Sequence, residues 1–449
     1  MPVRDDVQVH RVVVVGAGFA GLAAARTLAD QPVQVTLVDQ RNHHTFLPLL
    51  YEVATAGLDP GDVAYPVRAT IGRTGNVRFR MASVTGVDWQ ARTVALSTPG
   101  GTGDSLGFDS LVLASGAVAR YFGVEGAQRF SHPLYTLADA RHLRDHLLAR
   151  LEEADAAEEH RTDGTLTFVV VGGGPTGVEV AGAITELLDV SVARDGYRFR
   201  RDQARIVLVD GLDHLLGAFR PVAGRYAAET LTGRGVELLL GRTVRRVAAG
   251  QVELDDGSVL STRTVVWAGG VTAAGTVVSG LGLPTAPDGR VVVGPTLQVP
   301  GFDGVYVVGD AAAIPVAPSS ADLCPQLAQV AMQSGRHAAR QVVAAATGAS
   351  AVPFRYRDKG IMATVGRRAA IAQLRWGPVV RGTAGWLAWL VLHLLYLLGF
   401  RNRVTVLVNW SWRYLEWTSG PRIIVGTSRP ERPEGPEQVP DPRPGARDT

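Results

Sequence analysis

The sequence predicts an α/β protein in which one strand–helix–strand module occurs twice and an apolar C-terminal region follows. Three observations predict this. VVVVGAGFAGLAAARTL from Val12 and VVVGGGPTGVEVAGAI from Val169 each run from a valine-rich stretch through G-x-G-x-x-G into a small-residue helix pattern. Each is followed by a second strand-like run ending in an acid, VQVTLVDQ with Asp39 and ARIVLVD with Asp210. Residues 383–400, TAGWLAWLVLHLLYLLGF, then form an apolar run with no Asp, Glu, Lys or Arg, in which His393 is the one group that titrates near neutral pH.

Each element follows from its residues. Runs of valine with no polar alternation read as buried parallel strands. Gly16 and Gly172 stand where the chain must turn sharply into a helix. Gly18 and Gly174 leave room for backbone to approach a pyrophosphate, and Gly21 and Gly177 allow close helix–strand packing. The free N–H groups of the helix start attract that anion. Asp39 lies eighteen residues past Gly21, the spacing expected of a carboxylate on a ribose hydroxyl. Asp210 lies thirty-three past Gly177, the excess being assigned to residues 189–203. Gly211, Leu212 and Asp213 follow it with no arginine for a 2′-phosphate, which favours NADH over NADPH.

The repeat extends further. FRMASV, RTVALS and FDSLVLASG ending at Gly116 match VELLLG, GQVELDDGSVL and TRTVVWAGG ending at Gly270 in order. GVYVVGDAAA from Gly304 reads as one more buried strand, with Gly309 and Asp310 at its end beside a ribityl or pyrophosphate group. Two Rossmann-like dinucleotide-binding domains imply two dinucleotides, FAD in the first and NADH in the second, with the cofactors carrying the redox chemistry.

Composition narrows the function. The 449 residues are 46% hydrophobic and 19% charged, enough apolar content for sizeable cores. Cys324 is the one cysteine, which excludes a disulfide scaffold, a zinc ribbon or a redox cysteine pair. Net charge is +3 with no basic run interleaved with aromatics before the C-terminal region, so nucleic acid is not an expected partner. His43 and His44 lack a third ligand, and no metal is expected. The charged first eleven residues do not read as a secretory leader, so an intracellular chain is expected.

The chain resembles the type II NADH:quinone oxidoreductases, single-subunit, non-proton-pumping NADH dehydrogenases of the two-dinucleotide-binding flavoprotein superfamily. The resemblance spans about residues 10–426. It is carried by HHTFLPLLYEVATAGLDP at 43–60, VVGGGPTGVEVAGAI at 170–184 and VGDAAA at 308–313. PQLAQVAMQ at 325–333, DKGIMATVGRRAAIA at 358–372 and HLLYLLGFRNRVTVLVNWSW at 393–412 are narrower matches. It implies that FAD contacts Gly16, Gly18, Phe19, Ala20, Gly21, Asp39, Gln40, Arg41, Pro48 and Leu49. Val84, Ala114, Ser115, Gly116, Gly309, Asp310 and Ala328 complete that shell, with Gln329 beside it and Lys359 close to the isoalloxazine. NADH is expected on Gly172, Gly174, Thr176, Gly177 and Asp210, with Ala268 and Gly269 near the nicotinamide.

The same resemblance makes Glu179, Gln329, Gln333 and Lys359 the candidate catalytic residues. Glu179 stands near the helix start, where it hydrogen-bonds a carboxamide or relays protons through water. Gln329 and Gln333, four apart, share a helical face and serve the quinone head-group. Many relatives carry an acid or amide four residues after Glu179; here Ala183 stands there, with Glu186 nearby. Hydride from NADH to flavin N5 and then two electrons to a membrane quinone, menaquinone or ubiquinone, is the implied reaction.

The apolar run at 383–400, continued by Arg-Asn-Arg at 401–403 and an aromatic-rich stretch, reads as helices lying in a lipid interface. A cell-membrane protein peripheral on the cytoplasmic side, a homodimer by base rate, is the expectation. The expected segments are an FAD domain at 1–130 and 286–352, an NADH domain at 161–285, a membrane-associating region at 353–426 and a disordered proline-rich tail at 427–449. A second function class stays open: an FAD- and NADH-binding redox sensor or interaction protein with slow turnover.

Overall fold

The computed structural model describes residues 9–72, 74–101, 103–273, 279–317, 320, 322–416 and 422–426; the expected tail at 427–449 lies outside them. The chain divides into two compact units. One comprises Met1–Thr45, Ala64–Val118 and Val271–Lys359; the other comprises Phe46–Val63, Ala119–Gly270 and Gly360–Thr449. The units change over at Val118 and Val271, and Gly360 onward groups with the second unit. The segment 46–63 also belongs to the second unit, its helix Leu50–Ala54 packing on helices Leu137–Ala156 and Pro175–Arg194.

The first unit is built on a parallel sheet in the order Val305–Val307, Ser110–Leu113, His10–Val15, Val33–Asp39 and Val77–Met81. Val12 to Val15 are buried throughout, as a strand covered on both faces requires. The strand of GVYVVGD joins this sheet at its edge, as its apolar run predicts. An antiparallel meander of Ser83–Asp88, Thr93–Ser97 and Gly103–Gly107 follows the repeat's order. Helix Ala328–Thr347 lies against the fingerprint helix Phe19–Leu28. A Cβ on Gly335 would stand 2.1 Å from the Ala20 carbonyl oxygen, so only glycine permits that approach.

The second unit repeats the plan. Its parallel sheet runs His132–Pro133, Thr264–Trp267, Thr167–Val171, Arg205–Asp210 and Val236–Leu240. Its meander is Val244–Ala248, Gln251–Leu254 and Val259–Ser261. The fingerprint helix Pro175–Arg194 has 20 residues against 10 in the first copy. Part of the long spacing to Asp210 is therefore helix rather than inserted loop. Helix Leu137–Ala156 opens with a capping box between Thr136 and Asp139.

Past Gly360 come the antiparallel strands Ile361–Gly366, Ala369–Gln373 and Val379–Arg381, then helices Gly382–Tyr396 and Phe400–Glu416. The run at 383–400 is thus not one helix. Gly399 takes φ +81° and turns the chain into the second helix. Among the described residues no helix is long and apolar enough to cross a membrane. His393 is not a solvated titratable group within the run. Its ring stacks on Trp389 at 4.1 Å, its Nδ1–H donates to the Trp389 carbonyl at 2.8 Å, and burial pushes its pKa down to about 4. Leu387, Val391 and Leu395 of one helix, and Phe400, Val404, Leu407 and Val408 of the other, are exposed at one-turn spacings, Phe400 by 82%.

Candidate nucleotide-binding sites

In the first unit the fingerprint closes on itself. Gly16 takes φ +99°, and a Cβ there would stand 2.3 Å from the Ala114 carbonyl oxygen; one on Gly21 would stand 1.7 Å from the Gly16 carbonyl oxygen. Gly18 has no heavy atom within 4 Å of its Cβ position, so open space faces its backbone. The helix that begins at Phe19 has no side-chain cap, which leaves first-turn N–H groups for a ligand. Asp39 Oδ2 accepts from Ala17 N at 2.6 Å and Oδ1 from Arg41 N at 2.7 Å, which ties the strand end to the glycine turn.

The second unit builds the same cradle. Gly172 takes φ +111° with a Cβ position 2.3 Å from the Ala268 carbonyl oxygen, a Cβ on Gly177 would stand 1.8 Å from the Gly172 oxygen, and Gly174 again faces open space. Asp210 accepts from Gly173 N through Oδ2 and from Leu212 N at 2.7 Å through Oδ1. Thr176 is exposed at the helix start, and Ala268 and Gly269 are half-buried at the adjoining strand end.

Both cradles fit a dinucleotide. Among the described residues, Ser115 Oγ and His43 Nε2 of the first unit are buried with no hydrogen-bond partner, as polar atoms reserved for a bound group would be. Ser115 adjoins Gly116 at the strand end, where the resemblance expects FAD.

Glu179 lies two residues past Gly177. Its Oε1 accepts from Thr364 N at 3.3 Å. Burial pushes its pKa up to about 8; the Thr364 N–H opposes this and the neighbouring Glu52 adds to it. At neutral pH the carboxyl carries a proton, so it is both donor and acceptor beside the cradle. Glu186 does not extend a chain of acids toward the site, because it is held by Arg234 at 3.1 Å and by Arg367 N.

The remaining sequence-chosen residues are distributed as follows. Gln40 and Arg41 are exposed, Val84 is half-buried, and Ala20 and Ala114 are buried in the first cradle. Phe19 meets the His44 ring edge-on at 4.9 Å. Pro48 and Leu49 lie in a 3-10 turn of the second unit, and the Leu49 side chain is fully buried. Gly309 and Asp310 open a 3-10 turn at the end of Val305–Val307; Gly309 N donates to Ser334 Oγ at 3.1 Å. Gln329 and Gln333 do share a face, and both grip the 357–359 backbone. Gln333 Nε2 donates to Arg357 O at 2.9 Å, its Oε1 accepts from Arg357 N at 3.0 Å, and Gln329 Oε1 accepts from Lys359 N at 3.2 Å. They therefore brace the segment that carries Lys359. Ala328 is the first residue of their helix.

Two residues escaped the sequence reading. His44 is buried, its Nδ1–H donates to Ala17 O at 2.9 Å, and burial pushes its pKa down to about 4, so a neutral imidazole props the first glycine turn. Glu52 is 2% exposed and accepts from the Trp410 indole N–H. An acid inside the apolar stretch LLYEVA was the available signal for it. Cys324 is buried, with its thiol pushed up to about 11, the behaviour of a packed thiol.

Residues 10–335 match the pyridine nucleotide-disulphide oxidoreductase family, and residues 359–416 match the NDH2 C-terminal domain. The chain is 36% identical over 441 residues to the type II NADH:quinone oxidoreductase Ndh of Mycobacterium tuberculosis (strain ATCC 25618 / H37Rv), covering 94% of this chain and 92% of that protein. The chain belongs to the type II NADH:quinone oxidoreductases. It is also 32% identical to the mitochondrial internal alternative NAD(P)H-ubiquinone oxidoreductase A1 of Arabidopsis thaliana, over 89% of this chain and 83% of that one. The fold is shared with the solved NDH2 of Plasmodium falciparum in complex with NADH, at TM-score 0.84 and 18% identity, covering 93% of this chain and all of that one. A sulfide:quinone oxidoreductase from Aquifex aeolicus shares it at TM-score 0.66 and 18% identity, over 91% and 96% of the two chains.

Proposed function

We propose that the chain oxidises NADH and reduces a membrane quinone, menaquinone or ubiquinone, with FAD resident on the first cradle and NADH taken on the second, and without pumping protons. The observation that carries this is the paired glycine cradle, built twice with a strand-end aspartate bonded back to the turn. When bound, FAD supplies the two-electron chemistry that links a hydride donor to a quinone acceptor.

The protein's residues supply the rest. Backbone N–H groups at the two helix starts hold the pyrophosphates. Asp39 and Asp210 orient the riboses, and the absence of an arginine among residues 211–213 selects NADH. Glu179, protonated at neutral pH, hydrogen-bonds the nicotinamide side without introducing a charge and is a proton donor for quinol formation. Gln329 and Gln333 hold the Lys359 segment and serve the quinone end as uncharged amides. The exposed Leu387, Val391, Leu395 and Phe400 rest on a lipid surface, with the chain peripheral on the cytoplasmic face.

The test is NADH oxidation by purified, flavin-loaded protein on vesicles containing a quinone and an internal pH dye. Quinone-dependent turnover with no interior acidification is expected. NADH binding without quinone turnover would overturn the reading in favour of a redox sensor.

A further inference from the structure

Glu52 is a buried acid for which the reaction above has no task. It stands in helix Leu50–Ala54, which packs on helices Leu137–Ala156 and Pro175–Arg194, the latter carrying Glu179. Its Oε1 accepts from the Tyr51 hydroxyl at 3.1 Å and its Oε2 from the Trp410 indole N–H at 3.3 Å. Trp410 is one of three polar hooks that helix Phe400–Glu416 sets into the 46–63 segment. Asn409 Nδ2 donates to Asp62 Oδ2 at 2.9 Å, and Asn402 Nδ2 to Asp62 O at 3.2 Å. These hooks line the buried side of a helix whose other side exposes Val404, Leu407 and Val408.

We propose that Glu52 is a positioning residue through which the apolar C-terminal helix is coupled to Glu179 of the NADH cradle. The inference rests on the role of Glu179 given above. Burial is the main reason Glu179 keeps its proton; the Glu52 carboxyl, on the helix packed against that of Glu179, adds to it because two acids in an apolar setting do not both ionise readily. Asp62, the other buried acid of the 46–63 segment, accepts from Asn409. The strand Ile361–Gly366 offers Glu179 the Thr364 N–H, and Glu186 of its own helix is engaged by Arg234. On Leu137–Ala156 the buried charges are Arg144 and Asp145, paired with each other at 3.2 Å. Trp410 supplies a donor from the C-terminal helix.

The experiment follows the pH dependence of NAD⁺ binding to the flavin-loaded protein by calorimetry, and of kcat with a short-chain quinone, in Glu52→Gln, Trp410→Phe, Glu179→Gln and the unsubstituted chain. A break near pH 8 is expected in the unsubstituted chain and its loss in Glu179→Gln. Glu52→Gln removes the neighbouring charge and moves the break down by about one pH unit. Trp410→Phe withdraws a donor from the Glu52 carboxylate, makes it ionise less readily and moves the break the same way by less. An unmoved break in Glu52→Gln, with Glu179→Gln still abolishing it, overturns the coupling and leaves the role of Glu179 standing. A break that survives Glu179→Gln overturns both. If Trp410→Phe leaves the break in place while Glu52→Gln shifts it, the link to the C-terminal helix is wrong. Should Glu52→Gln fail to load flavin, Trp410→Phe carries the test.

Discussion

The two glycine cradles have nearly the same geometry and differ in what packs around them. In each, the first glycine has positive φ against a strand-end carbonyl, the third sits under 2 Å from the first one's oxygen as a Cβ would see it, and the middle one faces open space. Beyond that they diverge. The first fingerprint helix lies against another helix, whereas the second lies against the strand Ile361–Gly366. Two residues past the last glycine, the first copy has the buried Ala23 and the second has Glu179. One scaffold thus serves as a holder in one copy and as a holder with an acid in the other. On the proposed function, the shared fold carries the binding and this single side chain the added chemistry.

The comparison breaks most sharply at the third glycine. Gly21→Ala drives a methyl into the Gly16 carbonyl, and the purified protein is expected to lack flavin, read from its visible spectrum. Gly177→Ala meets the same obstacle in the other cradle, at a cost of about 3 kcal/mol. It should keep flavin and raise KM for NADH on the order of 100-fold. Equal loss of flavin in both variants would mean the cradles do not divide the work.

The strand-end acids come next. Asp210→Ala strips an acceptor from the Gly173 and Leu212 N–H groups and from a ribose, an expected loss of about 2 kcal/mol in NADH binding. Titration of NADH against the flavin-loaded variant measures it.

Glu179 sharpens the comparison through pH. Folded, it keeps its proton up to about pH 8; unfolded, it releases it near 4.5. The folded chain therefore holds the extra proton between those values, and this group's stabilisation falls as pH rises through the window. Glu179→Gln removes the slope. Its Tm should match the parent at pH 4 and exceed it by a growing margin up to pH 8, in thermal scans across that range.

The smallest effect belongs to the exposed apolar faces of the C-terminal helices, proposed to rest on lipid. Leu395→Asp or Phe400→Asp should weaken vesicle binding several-fold while NADH oxidation with a water-soluble acceptor stays unchanged. Flotation with vesicles reads the first quantity and absorbance the second.

The cradles were legible in the sequence because glycine's missing Cβ acts within a few residues, so the spacing of Gly16, Gly18 and Gly21 states the turn directly. The valine strands and the edge strand at 305–307 were legible for a similar reason, each being a short apolar run with a turn at its end. What escaped depends on contacts far apart in the chain. Glu52 and Trp410 are 358 residues apart, and neither carries a mark of the other. His44 props Ala17 through a backbone carbonyl, which has no sequence signature. The Gln329/Gln333 face was read correctly from helical spacing, but its hold on the backbone at Arg357 and Lys359 needed the fold. The apolar run at 383–400 concealed the turn at Gly399, since apolar content alone does not distinguish one helix from two.

The measurement that tests the division of labour most directly is anaerobic stopped-flow absorbance of flavin-loaded protein mixed with NADH, for the unsubstituted chain and Gly177→Ala. Rapid bleaching of the flavin band in the first, and slow bleaching with unchanged flavin content in the second, is the predicted result. Bleaching at the same rate and with the same NADH dependence in both would contradict the assignment of NADH to the second cradle.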